Sequence, residues 1–380
     1  MPPPFALAAG APFGVYVHVP WCASRCGYCD FNTYVPGRVR GAAPSAFART
    51  AVAEAALMRD ALGGSPPPAD TVFLGGGTPT LLPPSDLATI LRAIERAPGA
   101  EVTVECNPET VDERRFAALL EAGVTRVSIG MQSAAPHVLA TLERAHTPGG
   151  AVAAARAARA AGFGHVSLDL IYGTPGETDA DWCASVAAAL EAGPDHVSAY
   201  ALTLERGTRM SAAVRAGRLP APDEDALARR YALADELLGA AGLRWYEVSN
   251  WAASTAARCR HNLGYWRGGD WWALGPGAHG HVSGTRFWTH RHPAAHARAV
   301  AAGELPIDGY EVLDPGQRRL ERLMLELRLA DGLPLDALDT RARAQAQRLQ
   351  RDGLLRTDAE RAVLTLDGRR LADGVVRALA

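Results

Sequence analysis

Lysine is absent from the chain: all 39 basic residues are arginine. Alanine, glycine and proline are abundant beside them, so the bias reads as nucleotide composition and carries no functional reading. An excess charge of either sign is also lacking. The 39 basic residues face 41 acidic ones for a formal net charge of -2, and no polybasic block occurs. Sequence-independent nucleic-acid binding therefore loses its main driving force. Long apolar runs are missing too, since no stretch reaches the roughly 18 residues of a membrane span. The opening segment MPPPFALAAGAPFG has neither the basic n-region nor the long apolar h-region of a secretory signal, which makes a cytoplasmic protein the expectation.

What is present excludes a wholly disordered chain. Hydrophobic residues make up 48% and charged residues 21% of 380 positions, enough for one large domain or two to three smaller ones. Cysteines number six, and three of them, Cys22, Cys26 and Cys29, lie in one C-x3-C-x2-C run. A chain this long does not need disulfide staples, so the crowding points to a metal site in a reducing compartment. Three thiolates on a tight loop can each hold one iron of a cubane cluster and leave the fourth iron open for chemistry. A zinc knuckle is the alternative, but no fourth Cys or His follows within a few residues.

From residue 14 short β-rich runs alternate with longer alanine-rich ones. Residues 14–20, 71–76, 101–106, 126–130, 165–173 and 196–202 read as strands, and 45–62, 85–97, 111–121, 149–161 and 178–191 as helices. That rhythm predicts a parallel sheet covered by helices, either doubly wound or an incomplete barrel. Nearly every strand runs into a polar or glycine-rich segment, and ligands of parallel sheets sit outside the carboxyl ends of strands. One site on that rim is the expectation.

After residue 203 the rhythm changes. Residues 219–242 read as a long amphipathic helix. Residues 245–292 then hold six of the eight tryptophans and five of the eleven histidines. From Ile307 the order helix, helix, two short strands, helix predicts a small winged-helix-like α+β unit. Its arginines are offset by acidic residues, against a DNA-recognition surface. The expected division is 1–210 for the α/β unit and its site, 211–306 for a helix and Trp/His-rich extension completing the core, and 307–380 for the C-terminal unit.

The blocks Tyr16-Val-His18-Val-Pro20-Trp-Cys22, GGGTPT (75–80), ECNPET (105–110), RVSIGMQS (126–133), DLIYGTPGET (169–178), ALTLERGT (201–208), YEVSNWA (246–252) and CRHNLGYW (259–266) carry a resemblance across nearly the whole chain. It is to the radical S-adenosylmethionine (SAM) family, in the branch that holds oxygen-independent coproporphyrinogen III oxidase (HemN) and the haem chaperone HemW. The resemblance implies a partial (β/α)6 barrel, a [4Fe-4S] cluster on Cys22, Cys26 and Cys29, and SAM on the open iron.

By the same resemblance Gly75, Gly76 and Gly77 receive the SAM amino group, though a tight βα turn would use the same glycines. Tyr16 would lie over the cofactor, or serve as a core aromatic. Glu105, Gln132, Arg144 and Asp169 match SAM contacts: carboxylates accept from hydroxyl and ammonium groups, and arginine pairs with a carboxylate. Arg126 is a competitor for the role of Arg144 near the rim, and Phe31 could shield the cluster.

Two residues past Cys29 the oxidases carry a fourth cysteine, where this chain has Asp30-Phe31. Only 21 residues precede Cys22, against the longer oxidase extension. Both features match the haem-carrier pattern; coproporphyrinogen oxidation is not expected, and the alternatives are that oxidase or a radical SAM enzyme acting on another substrate. Haem would then lie against residues 245–292, with His261 of HNLGYW as first axial candidate, His279 and His281 as alternatives, and a hydrogen-bonded loop as the bland role for His261. The implied partner is a haem-acceptor protein or cytochrome, membrane-bound cytochromes included, and the implied assembly a cluster-dependent homodimer.

Overall fold

The first strand sets the architecture. β1 (Phe13–Val19) is buried at every residue but Tyr16. A strand buried on both faces must lie inside a sheet that helices cover. In the computed structural model, which describes residues 5–7 and 10–380, β1 is followed by β2 (Ala69–Gly76), β3 (Arg96–Cys106), β4 (Arg126–Gln132), β5 (His165–Tyr172) and β6 (His196–Ala201). All six pair in parallel and in sequence order, with Val15 opposite Val72 and Val127 opposite Val166. Each crossover contains at least one helix: Pro44–Ala61, Pro84–Ala93, Glu113–Glu121, Gly150–Ala161 and Asp179–Glu191. This is the partial (β/α)6 barrel that the rhythm and the resemblance together implied. Met1–Pro4, part of the opening segment read for a secretory signal, fall outside the described residues.

Several boundaries differ from expectation for local reasons. The helix predicted over 85–97 stops at Ala93, because Ile94 is already extended and Arg96 pairs with Ala69. The long helix narrows to Glu224–Ala240, where Asp223 caps the amide of Asp225 and two acids complement the helix dipole. A short helix at Pro136–Leu142 carried no period long enough to be read from the sequence.

The stretch 245–292 is not one extension but is divided between two sides of the barrel. β7 (Arg244–Glu247) and β8 (Asn250–Ala252) form a hairpin whose β8 joins β6 antiparallel. The chain then passes beneath the amino ends of the strands as the helix Arg260–Trp266 and rejoins beside β1. There β9 (Asp270–Leu274) runs parallel to β1, and β10 (His279–Val282), β11 (Thr285–Thr289) and β12 (Ile307–Val312) continue the sheet antiparallel. The resulting twelve strands run β12-β11-β10-β9-β1-β2-β3-β4-β5-β6-β8-β7.

Ile307–Val312 thus belongs to the large sheet, not to the C-terminal unit as the boundary at 307 supposed. A separate core of Leu323, Leu333, Leu349, Leu364, Val375 and Leu379 follows. It packs under three short strands, β13 (Leu333–Pro334), β14 (Leu355–Thr357) and β15 (Arg361–Leu364), in the order β13-β15-β14. Arg369 joins this unit to the barrel. Its guanidinium donates to both oxygens of Asp235 at 2.9 and 2.7 Å and lies 4.2 Å from the Trp245 ring centre. Among the described residues no helix is long and apolar enough to cross a membrane.

Candidate functional site

The carboxyl ends of β1–β6 surround a cavity of about 610 Å³. The cysteine loop forms one wall. It leaves β1 at Pro20 and is tied back by Cys22 N–H donating to Tyr34 O and Tyr34 N–H to Pro20 O, at 3.0 and 2.7 Å. Its middle is held by neighbours: Gly27 N–H donates to Leu142 O, and Met210 N–H donates to Gly27 O at 2.9 Å. A Cβ on Gly27 would stand 2.7 Å from the Glu143 carboxylate, so glycine permits the close approach. Arg25 donates to Cys29 O at 3.3 Å, and Arg209 to Arg25 O at 2.5 Å and to Glu143.

Cys22, Cys26 and Cys29 are free and half-buried on that loop. Burial pushes the Cys22 thiol up to about 11 and raises Cys29 as well, so both are costly to ionise without a cation to meet them. Among the described residues no three His, Cys, Asp or Glu side chains converge on a position for one metal ion. A single zinc needs its sulfurs about 2.3 Å from one centre. A cubane instead takes each thiolate at a different iron, and three thiols on one loop are a donor set that suits it.

Opposite the loop, Gly75–Gly77 close β2. Gly76 has φ +101°, and a Cβ there would meet the His18 ring at 2.5 Å. On Gly77 a Cβ would meet Trp21 O at 2.5 Å. The backbone therefore forms a wall that only glycine can make, and Gly76 N–H donates to Glu105 at 3.0 Å. Burial first, and then the Asp169 charge, push the Glu105 carboxyl up to about 7. Asp169 is also raised by burial, although Ser128 Oγ donates to both its oxygens at 2.9 Å. Gln132 lies at a break in the β4–β5 register with φ +65°, a conformation a non-glycine residue rarely adopts outside sites that need it. Tyr16, Phe73, Gln132, Arg144 and Asp169 all line the same cavity, and Phe31, 55% exposed, stands at its lip.

Arg144 reaches the cysteine wall. It donates through Nη2 to Asn107 Oδ1 at 2.7 Å and to Gly130 O at 3.1 Å, while its buried Nε has no partner among the described residues. Arg126 does not compete with it at the rim. It opens β4 at the other end of the barrel, where its Nε donates to Glu101 at 3.3 Å and its Nη2 to Ala257 O at 2.7 Å. Glu101 in turn accepts from the amides of Arg260 and His261, both at 3.1 Å. This buried pair bolts the helix Arg260–Trp266 under the barrel as a floor. Neither acid nor arginine was legible as a floor from sequence, since each sits in an otherwise ordinary strand.

The floor also carries the first axial candidate. His261 is buried, with Nδ1 hydrogen-bonded to Thr71 Oγ1 at 2.8 Å and Nε2 to Tyr265 Oη at 2.7 Å. Both ring nitrogens are engaged, and burial pushes its pKa down to about 3. His281 is also engaged at both nitrogens, by Gly269 O at 2.9 Å and Gly284 N–H at 3.2 Å. His279 is exposed, and its ring makes no hydrogen bond among the described residues. It borders a second cavity of about 340 Å³ with Tyr16, His18, Phe31, Tyr265 and Trp271, adjacent to the first. Trp272, by contrast, is core, packed edge-on against Phe5 with ring centres 4.8 Å apart.

Thr78 and Asn107 also line the cavity beside the cysteine loop and were not singled out from sequence. Their positions in GGGTPT and ECNPET, just past strand ends, were the signal available.

Comparison with known proteins agrees with this geometry. The radical SAM superfamily pattern matches residues 16–189, and the HemN C-terminal domain pattern residues 313–371. The protein named heme chaperone HemW from Mycobacterium tuberculosis (strain H37Rv) is 52% identical over 381 residues, covering 99% of this chain and 97% of that protein. HemW of Escherichia coli K12 is 37% identical over 278 residues, covering 72% of this chain and 71% of that protein. Among solved structures, coproporphyrinogen III oxidase (HemN) of Escherichia coli superposes with a TM-score of 0.82 over 97% of this chain and 90% of that one. Its 18% identity makes that a likeness of fold. The superfamily pattern and the near-full-length similarity converge: the chain belongs to the HemW family of radical SAM proteins.

Proposed function

We propose that the protein is a haem chaperone: it holds a [4Fe-4S] cluster on Cys22, Cys26 and Cys29, binds SAM in the barrel mouth, and delivers haem to an acceptor protein. Similarity to proteins named heme chaperone over 99% of the chain carries this reading. Asp30-Phe31 where the oxidases place a further cysteine supports it against porphyrinogen oxidation.

When bound, the cluster would supply one-electron chemistry, and the protein's own residues do the rest. Gly75–Gly77 let backbone approach SAM closely. Glu105 and Asp169 offer acceptors to its amino and ribose groups, Arg144 a donor to its carboxylate, and Gln132 an amide held toward the mouth by its left-handed backbone. Tyr16 covers the pocket between the two cavities. For haem, the favoured axial residue is His279, whose ring is available and borders the aromatic second cavity. His261 also lines the first cavity, and ligation there would require its ring to give up Thr71 or Tyr265.

The test is an anaerobic haem titration of reconstituted protein followed by absorbance, with and without SAM, beside an assay for coproporphyrinogen conversion. Stoichiometric haem binding without conversion is expected. Conversion with little haem affinity would replace this reading with the oxidase. A Soret band altered by His279→Ala and not by His261→Ala supports the axial assignment, and the reverse pattern returns it to His261.

A further inference from the structure

Two of the three cluster cysteines are joined by an unbroken run of side-chain hydrogen bonds across the ends of three strands. Thr78 Oγ1, just past β2, donates to Cys22 Sγ at 3.8 Å. Asn107 Nδ2, just past β3, donates to Thr78 Oγ1 at 3.1 Å. Arg144, which follows β4 and its short helix, donates through Nη2 to Asn107 Oδ1 at 2.7 Å and through Nη1 to Cys26 Sγ at 3.7 Å. Both sulfur contacts are long, within the reach of the larger acceptor.

The donor order is self-consistent. Asn107 spends its amide hydrogen on the Thr78 oxygen, which leaves the single Thr78 hydroxyl hydrogen for sulfur. Its carbonyl oxygen takes the Arg144 hydrogen, and the planar guanidinium then presents its other amino group to Cys26. Both ends of the belt therefore point a hydrogen at a thiolate. The anchoring is rigid: Thr78 N–H donates to Trp21 O at 2.8 Å, Thr110 Oγ1 to Asn107 O at 2.8 Å, and Arg144 to Gly130 O at 3.1 Å. Thr78 is 2% exposed, so water does not substitute for its hydroxyl.

We infer that Thr78, Asn107 and Arg144 form a belt that sets the reduction potential of the cluster by hydrogen-bonding the Cys22 and Cys26 thiolates. This rests on the cluster assignment above and adds positioning residues to it. Hydrogen bonds to the sulfurs and local charge are established levers on such potentials. Donors at sulfur stabilise the more negative, reduced form, and the Arg144 charge acts in the same direction. The belt therefore holds the potential above what the bare thiolates would give. Asn107 touches no sulfur. It orients both residues that do, so its loss should be felt at both cysteines.

The experiment is an EPR-monitored redox titration of anaerobically reconstituted full-length protein without SAM, with iron content measured on each sample. Thr78→Val is expected to change the one-electron equilibrium about tenfold, a shift of about 59 mV to more negative potential. Asn107→Leu should shift it the same way at full iron content, and Thr78→Ser should restore the wild-type value. Thr78→Val that assembles no cluster while Thr78→Ser assembles a full one also supports the hydroxyl's role. Wild-type potentials in Thr78→Val and Asn107→Leu overturn the belt and leave the cluster assignment standing, as does cluster loss in both Thr78 variants. A wild-type protein that takes up no four-iron cluster overturns both.

Discussion

Removing the Glu101 carboxylate should open the barrel floor. In Glu101→Gln the side chain keeps its size but loses its charge and one acceptor oxygen. Glu101 and Arg126 are 6% and 1% exposed, and the carboxylate also accepts from the Arg260 and His261 amides and from Cys259 Sγ at 3.5 Å. Breaking a buried pair by removing one partner costs about 3–5 kcal/mol, because the other charge is left uncompensated. The C-terminal unit has a core separate from that of the barrel, so a single global unfolding energy is not the right measure. Local opening is. Amide exchange over residues 257–266 should accelerate by roughly 10²- to 10³-fold, since each 1.4 kcal/mol is about tenfold. Exchange in β2 and β5 should change little. Glu101→Leu combined with Arg126→Met should recover part of the protection by removing the stranded charge, although the two helix amides stay uncapped. Exchange of 257–266 within threefold of wild type in Glu101→Gln would refute the idea that this pair holds the floor.

Three further outcomes follow from the site. With its pKa raised to about 7, Glu105 is largely neutral at pH 6 and ionised at pH 8, and an ionised carboxylate is the better acceptor for SAM. SAM affinity measured by calorimetry should therefore rise about tenfold over that interval, in proportion to the ionised fraction, and flatten in Glu105→Gln. Alanine at Cys22, Cys26 or Cys29 should abolish the reconstituted cluster, read by iron content and visible absorbance, with circular dichroism unchanged; full iron content in any of them would remove that cysteine from the ligand set. Gly77→Ala drives a methyl against the Trp21 and Val19 carbonyls and should cost about 1–3 kcal/mol by overpacking, with weaker SAM binding on top; a variant as stable as wild type would mean that the wall yields.

The residues that name the chemistry were legible in the sequence because they depend on local order. The cysteine spacing lies within one loop. β1–β6 announce themselves through apolar runs of strand length, and the segments after them reach the rim because parallel strands put their carboxyl ends on one side. What the sequence could not decide is where residues distant along the chain meet. The Trp/His-rich stretch reads as one patch, yet β8 pairs with β6 while β9 pairs with β1, and the helix between them becomes a floor. Ile307–Val312 is an ordinary strand whose allegiance depends on β11 lying beside it to pair with. His261, singled out by its motif, is engaged at both nitrogens by Thr71, 190 positions away, and by Tyr265. The belt through Thr78, Asn107 and Arg144 likewise exists only once three strand ends are brought side by side. Hydrogen bonding and burial depend on neighbours in space, and in this protein those neighbours come from positions far apart along the chain.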